Sequence, residues 1–146
     1  MAAPQTYKNH TRWDPAFHFF LAPVFLLNIV VTAVWYWHHH YQHARSGPWA
    51  VLMSIALFVL MAHVREYAAK VQDRVIRLEE KQRLASLVTA SELVELESLH
   101  MKQYVALRFA SNAELPELAR RAVREKLTQK QIKEAIVSWR PDYDRV

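Results

Sequence analysis

Histidine is the residue type best placed to do chemistry in this sequence, and four of its eight copies fall within His38-His39-His40-Tyr41-Gln42-His43. On a helical turn His39 and His43 stand four apart and His40 and His43 three apart, so two imidazoles can converge on one divalent transition metal such as Zn²⁺ or Cu²⁺. A complete site needs a further ligand, and residues 38–47 contain no carboxylate. The bland alternative is an interfacial segment, where histidines and aromatics sit comfortably between apolar and aqueous surroundings. A second pair, His18 and His63, lies at the start of one apolar stretch and the end of the next. In antiparallel helices those positions are neighbours at similar depth, and two such imidazoles can ligate a haem b. They can equally bond to Asp14, Glu66 or backbone and fasten the helices together.

Composition excludes most other chemistry. There is no cysteine, which removes disulfides, thiolate metal sites, iron–sulfur clusters and cysteine nucleophiles. Gly47 is the single glycine, so phosphate-cradling loops and dinucleotide fingerprints, which need several, are absent. No Ser/His/Asp grouping stands at a reactive turn; no catalytic residue is expected, and the chain reads as something other than an enzyme. Nineteen Lys+Arg against fourteen Asp+Glu give +5, which favours anionic partners. No nucleic-acid motif accompanies that charge, so nucleic acid is not expected among them.

The elements that must carry these residues are helices. Phe17–Trp37 runs 21 residues without a formal charge, close to the ~20 needed to cross ~30 Å of hydrocarbon. It ends in Trp35-Tyr36-Trp37, an interfacial belt, with no signal-peptide cleavage site following. Pro48 suits the first turn of a second helix. Continuation from Val64 through Ala69, with Arg65 snorkelling to the interface, gives that helix spanning length. The two spans, 17–37 and 48–69 with a loop at 38–47, form a predicted transmembrane hairpin after an N-terminal segment 1–16. The loop holds one basic residue, Arg45, whereas Lys8 and Arg12 precede the first span and Arg65, Lys70, Arg74, Arg77, Lys81 and Arg83 follow the second. The positive-inside rule puts both termini in the cytoplasm. Asn28, near mid-span, seeks an interhelical partner, and Ala50-x-x-x-Ser54 permits close helix approach.

Residues 70–146 read as a cytoplasmic helical tail. Val64, Ala68, Val71, Val75, Leu78, Gln82 and Ala85 follow alternating four- and three-residue steps, a coiled-coil-like seam on a helical stalk. That seam either joins two stalks or lets the stalk fold against its own tail. Capping patterns at Thr89-x-x-Glu92, Ser111-x-x-Glu114 and Thr128-x-x-Gln131 open short helices, with helical spacing also from Leu99 to Ala110. The last helix is expected to run through Ser138, with Ile132, Ala135, Ile136 and Trp139 on one face. Arg120, Arg121, Arg124, Lys126, Lys130 and Lys133 meet only Glu125 within residues 120–133, a local +5 that either attracts anionic lipid headgroups or forms a solvated helix face.

Asn9-His10-Thr11-Arg12-Trp13, Pro15 and Phe17-His18-Phe19 open the chain, and Trp139-Arg140-Pro141-Asp142-Tyr143 closes it. Between them lie Val105–Ser111, Glu114–Leu118 and Ile132-Lys133. Together these strings resemble a family of small bacterial two-span membrane proteins of unknown function, over nearly the whole length. The resemblance implies the same hairpin-plus-tail architecture and transfers no catalytic residue. The expectation is therefore an all-α protein of the bacterial inner membrane without a cofactor of its own. It would act as an accessory subunit or adaptor whose partners are the bilayer, other membrane proteins or its own copies. A haem- or metal-binding redox protein using the histidines above is the alternative.

Overall fold

A computed structural model of the chain describes residues 5–7, 9 and 13–142. Lys8, His10, Thr11 and Arg12 of the opening stretch and Tyr143 of the closing string lie outside the described residues. The fold is all-helical and falls into two units, one of Trp13–Ala68 and one of Ala69–Val146 with Met1–Arg12.

The first unit begins where Asp14 Oδ1 accepts the backbone N–H groups of Ala16 (3.0 Å) and Phe17 (3.3 Å), satisfying donors that a helix start leaves orphaned. The opening turns, Ala16–Leu21, are wound as a π-helix, with the Ala22 N–H reaching back to the Phe17 carbonyl. Pro23 explains this. It lacks an N–H, and its ring crowds the carbonyl four residues earlier, so the backbone ahead of it widens. From Ala22 the chain continues as helix α1, Ala22–His39. After a turn, α2 runs unbroken over 40 residues, Ser46–Ala85. That is about 60 Å of helix, twice the hydrocarbon thickness of a bilayer. The stretches Ala16–His39 and Ser46–Ala85 are both long and apolar enough to cross a membrane.

The second unit is built on the C-terminal part of α2. Among the described residues four short helices follow: α3 (Ala90–Glu95), α4 (Met101–Leu107), α5 (Leu115–Arg124) and α6 (Gln129–Ala135), with a 3₁₀ turn at Leu96–Ser98. Leu84, Leu96, Tyr104, Leu107, Phe109, Leu115 and Ile132 form its centre, each fully buried. Leu84 belongs to α2, so this part of the helix does fold against its own tail. It does so through Ile76, Glu80 and Leu84, however, and the seam residues Val71, Val75 and Leu78 remain exposed.

Three expected details are corrected. Ser111 caps nothing: α5 starts without a side-chain cap, and Glu114 instead accepts the N–H groups of Val137 (3.2 Å) and Ser138 (3.0 Å). The last helix stops at Ala135 rather than Ser138, because Ile136 turns extended and Trp139 pairs with Ala110 as an antiparallel bridge. That exit lets Trp139 reach Phe109, 5.0 Å between ring centres, which a continuing helix would have prevented. The helical stretch from Leu99 begins only at Met101, where the Gln103 side chain accepts the His100 N–H (2.8 Å) and completes an unforeseen capping box.

Candidate functional site

Of the residues singled out for interhelix contact, Asn28, Ala50 and Ser54 come together. Asn28 Nδ2 donates to Ser54 Oγ across the two helices (2.9 Å), and Ser54 donates onward to the Ala50 carbonyl (2.9 Å). Thr32, one turn beyond Asn28, places its hydroxyl 3.2 Å from Ser54 and bonds to the Asn28 carbonyl (2.7 Å). Ser54 is buried although nearly everything around it is apolar and exposed. The Asn28 amide nitrogen and both hydroxyls of this cluster have hydrogen-bond partners, which favours tolerating polarity among apolar helices. Thr32 was not foreseen; its signal was a hydroxyl at i+4 from the one amide in the span.

Two further contacts flank the cluster. At the turn, the Tyr36 ring lies against Gly47 so closely that a Cβ there would fall 2.0 Å from Tyr36 Cδ2. The lone glycine is thus required by space. At the other end, Arg65 lies 3.7 Å from Asp14 and places its guanidinium over the Phe17 ring, 4.4 Å from the centre. As residue number rises along the first helix, its contact on the second falls.

The histidines are engaged within their own helices. His18 Nδ1 is 2.9 Å from the Asp14 carbonyl, His39 Nδ1 2.9 Å from that of Trp35, and His40 Nδ1 2.8 Å from that of Trp37. A carbonyl only accepts, so Nδ1 carries a proton in each, and in a neutral ring Nε2 would hold the lone pair that a metal or haem iron takes. His63 Nδ1 lies 3.3 Å from Glu66 Oε2 and its ring stacks on Tyr67. No contact joins the His18 and His63 rings among the described residues. His39 and His43 approach edge to face, ring centres 6.5 Å apart, and Trp35 packs against both. Among the described residues no group of three His, Cys, Asp or Glu is arranged to hold a metal.

The basic residues of the tail have more carboxylate company than the sequence window 120–133 revealed. Arg120 meets Glu92 (3.1 Å) and Glu117 (2.7 Å), Arg121 and Arg124 share Glu125 (3.0 and 3.6 Å), and Lys130 approaches Glu134 (3.8 Å). Lys133 lies over the Phe109 ring at 5.7 Å. Lys126 holds a left-handed backbone, φ 51°, at the end of α5. There the N–H groups of Lys126 and Leu127 turn back to the Val123 (3.3 Å) and Ala122 (3.1 Å) carbonyls, the double bond pattern that normally takes glycine. Lys102, Lys126 and Lys130 rim a groove floored by Met101, Val123 and Leu127.

A buried charge group was also unforeseen. Glu80 is almost wholly buried, 3.0 Å from Arg83 and 3.5 Å from Arg140. Burial raises its carboxyl above the ordinary value, and Arg83, then Arg140, oppose that rise. Arg108, also buried, lies 2.9 Å from the Asp142 carboxylate, and the Asp142 backbone exchanges two hydrogen bonds with the Gln5 side chain (2.8 and 3.0 Å). Gln103, buried at the centre, donates to the Ala122 (3.2 Å) and Leu127 (3.0 Å) carbonyls, which fall at the end of α5 where carbonyls lack helix partners.

The profile of a family of unknown function, DUF6526, matches residues 1–146, the full sequence. The chain belongs to that family. The DUF6526 match is consistent with the expected family of unknown function, and the family description names no activity. No curated protein and no solved structure matches the chain.

Proposed function

We propose that this DUF6526 protein is a two-span hairpin of the bacterial inner membrane with both termini in the cytoplasm, serving as an accessory subunit or adaptor in a membrane assembly. On this reading it performs no catalysis and carries no cofactor. One observation bears most of the weight. None of the most apolar 18 residues of Ala16–His39 is buried by the chain itself. A core helix of a soluble protein hides such a face, so this one needs lipid or another protein to cover it. The polar cluster of Asn28, Thr32 and Ser54 turned between the helices, with apolar side chains outward, supports the same reading. The Gln5–Asp142 bonds favour placing both ends of the chain on one side of the membrane. For anionic headgroups, the lysine-rimmed groove is the favoured contact: an apolar floor suits acyl carbon and the rim suits phosphate. A lysine kept in a left-handed backbone, where glycine is easier, also favours a use for its charge.

Purification in mild detergent tests the reading, with mass and visible absorption measured on one size-exclusion peak. The expected result is a colourless peak in which a second kind of chain elutes stoichiometrically with this one. A Soret band following this chain would overturn it and move the function to His18 and His63. A colourless peak holding only this chain would count against the adaptor role. Orientation is read separately: cysteine at Gln42 should react with a membrane-impermeant thiol reagent in intact cells, and cysteine at Ala90 only after lysis.

A further inference from the structure

The part of α2 in the second unit presents two opposite stripes. Ile76, Glu80 and Leu84 recur every four residues and are 6%, 4% and 1% exposed against the tail's own core. Val71, Val75 and Leu78 are 60%, 46% and 68% exposed, and Gln82 and Ala85 continue their line, also exposed. At about 100° per residue the two stripes lie about 180° apart around the helix. Within the second unit the tail therefore covers one face of α2 and leaves the opposite stripe exposed, with Val75, Glu79 and Gln82 also lining a pocket beside Arg140, Pro141 and Asp142.

We propose that the open stripe is the seam of a parallel two-stranded coiled coil formed with a second copy of this chain; this rests on the membrane reading above. The steps 71, 75, 78, 82, 85 alternate four and three, the repeat that keeps one stripe facing a partner. In that repeat Val75 takes position a and Leu78 position d, the β-branched-then-leucine order that favours two parallel strands. Gln82 takes the next a position, where a buried polar residue fixes register. Charge selects the same partner. Arg74 precedes Val75 at position g and Glu79 follows Leu78 at position e, and both are exposed without an ion pair among the described residues. In a parallel pair, g of one strand meets the residue five further on in the other, so Arg74 meets the second copy's Glu79, and the two-fold axis makes that pair twice. Copies inserted in one membrane with one orientation run parallel, and confinement to the bilayer raises the effective concentration that so short a seam needs.

Cysteine cross-linking in native membranes tests this, since the chain has no cysteine of its own. Val75→Cys and Leu78→Cys, gently oxidised, should give a disulfide product of twice the chain mass, while Arg77→Cys, exposed but off the stripe, should not. In the Val75→Cys background, Arg74→Glu should lower the yield about fivefold, and adding Glu79→Arg should restore it. Equal yields at 75 and 77, or none at 75 and 78, would overturn the proposal. A product carrying a different protein would also overturn it, while leaving the adaptor reading standing. A clean dimer with no co-purifying chain would do the reverse.

Discussion

Asn28 and Ser54 show how one hydrogen bond can select a helix pairing. Asn28→Leu removes the bond across the helices but leaves Ser54 its own carbonyl partner, so the loss is confined to one interaction. The expected cost is about 0.5–1.5 kcal/mol of helix-pair stability, measured by unfolding in detergent. Any weakening of assembly should follow in proportion. Gly47 is a matter of space: Gly47→Ala should destabilise the pair by pushing the Tyr36 ring aside, and Tyr36→Ala in the same chain should remove most of that penalty. A double-mutant cycle showing simple additivity would contradict the contact. Glu80 gives a pH signature. Its folded value lies above the unfolded one, so the folded state binds the extra proton, and this contribution to stability is full below about pH 4.5 and declines as pH rises through the raised value. The stability of the wild type minus that of Glu80→Gln should therefore fall with rising pH over that window. Glu92, lowered chiefly by the N–H and hydroxyl of Thr89, has the opposite sign, its contribution disappearing as pH falls.

Individual elements were legible where a local rule decided them. Thr89-x-x-Glu92 and Thr128-x-x-Gln131 became working capping boxes because the Thr hydroxyl and the acid or amide three residues on satisfy two backbone donors within one turn. Thr128→Ala should cost about 1 kcal/mol, and Ser111→Ala far less, in denaturant unfolding. Lys126→Gly should stabilise the tail by about 1 kcal/mol, relieving the left-handed backbone, while weakening retention on anionic vesicles if the groove is used. Elements were misread where a distant residue competed for the local signal. Glu114 looked like the partner of a Ser111 cap, but residues 23 and 24 positions on claim its carboxylate. The end of α6 failed likewise, since the pull of Phe109 on Trp139 is invisible to helical spacing. The stalk seam was seen in the sequence, yet the residue spacing could not say which side the tail would cover.

At the scale of the whole molecule, the apolar stretches and their short connection were plain from length and charge, because a stretch long and apolar enough to cross a bilayer is a one-dimensional pattern. The tail's core was not, since it depends on which of many short apolar runs meet in space. The carboxylate partners of the basic cluster, Glu92, Glu117 and Glu134, were missed for the same reason, lying outside the window counted. Two units with separate interiors should respond separately to damage. Phe109→Ala, at the tail's centre, should cost about 3–5 kcal/mol of that unit's stability and leave the Asn28–Ser54 contact intact. Circular dichroism melting beside helix-pair unfolding would show whether one transition moves or both.

The pairing of Gln5 with the Asp142 backbone joins residues 137 positions apart. A ribosome adding roughly 5–20 residues each second needs roughly 7–27 s to pass from one to the other. For that interval the Gln5 amide waits without its native partner, while the apolar helices and most of the tail are already made. The bond thus forms only after the apolar helices and most of the tail have been made, and its closure belongs to late rather than early folding.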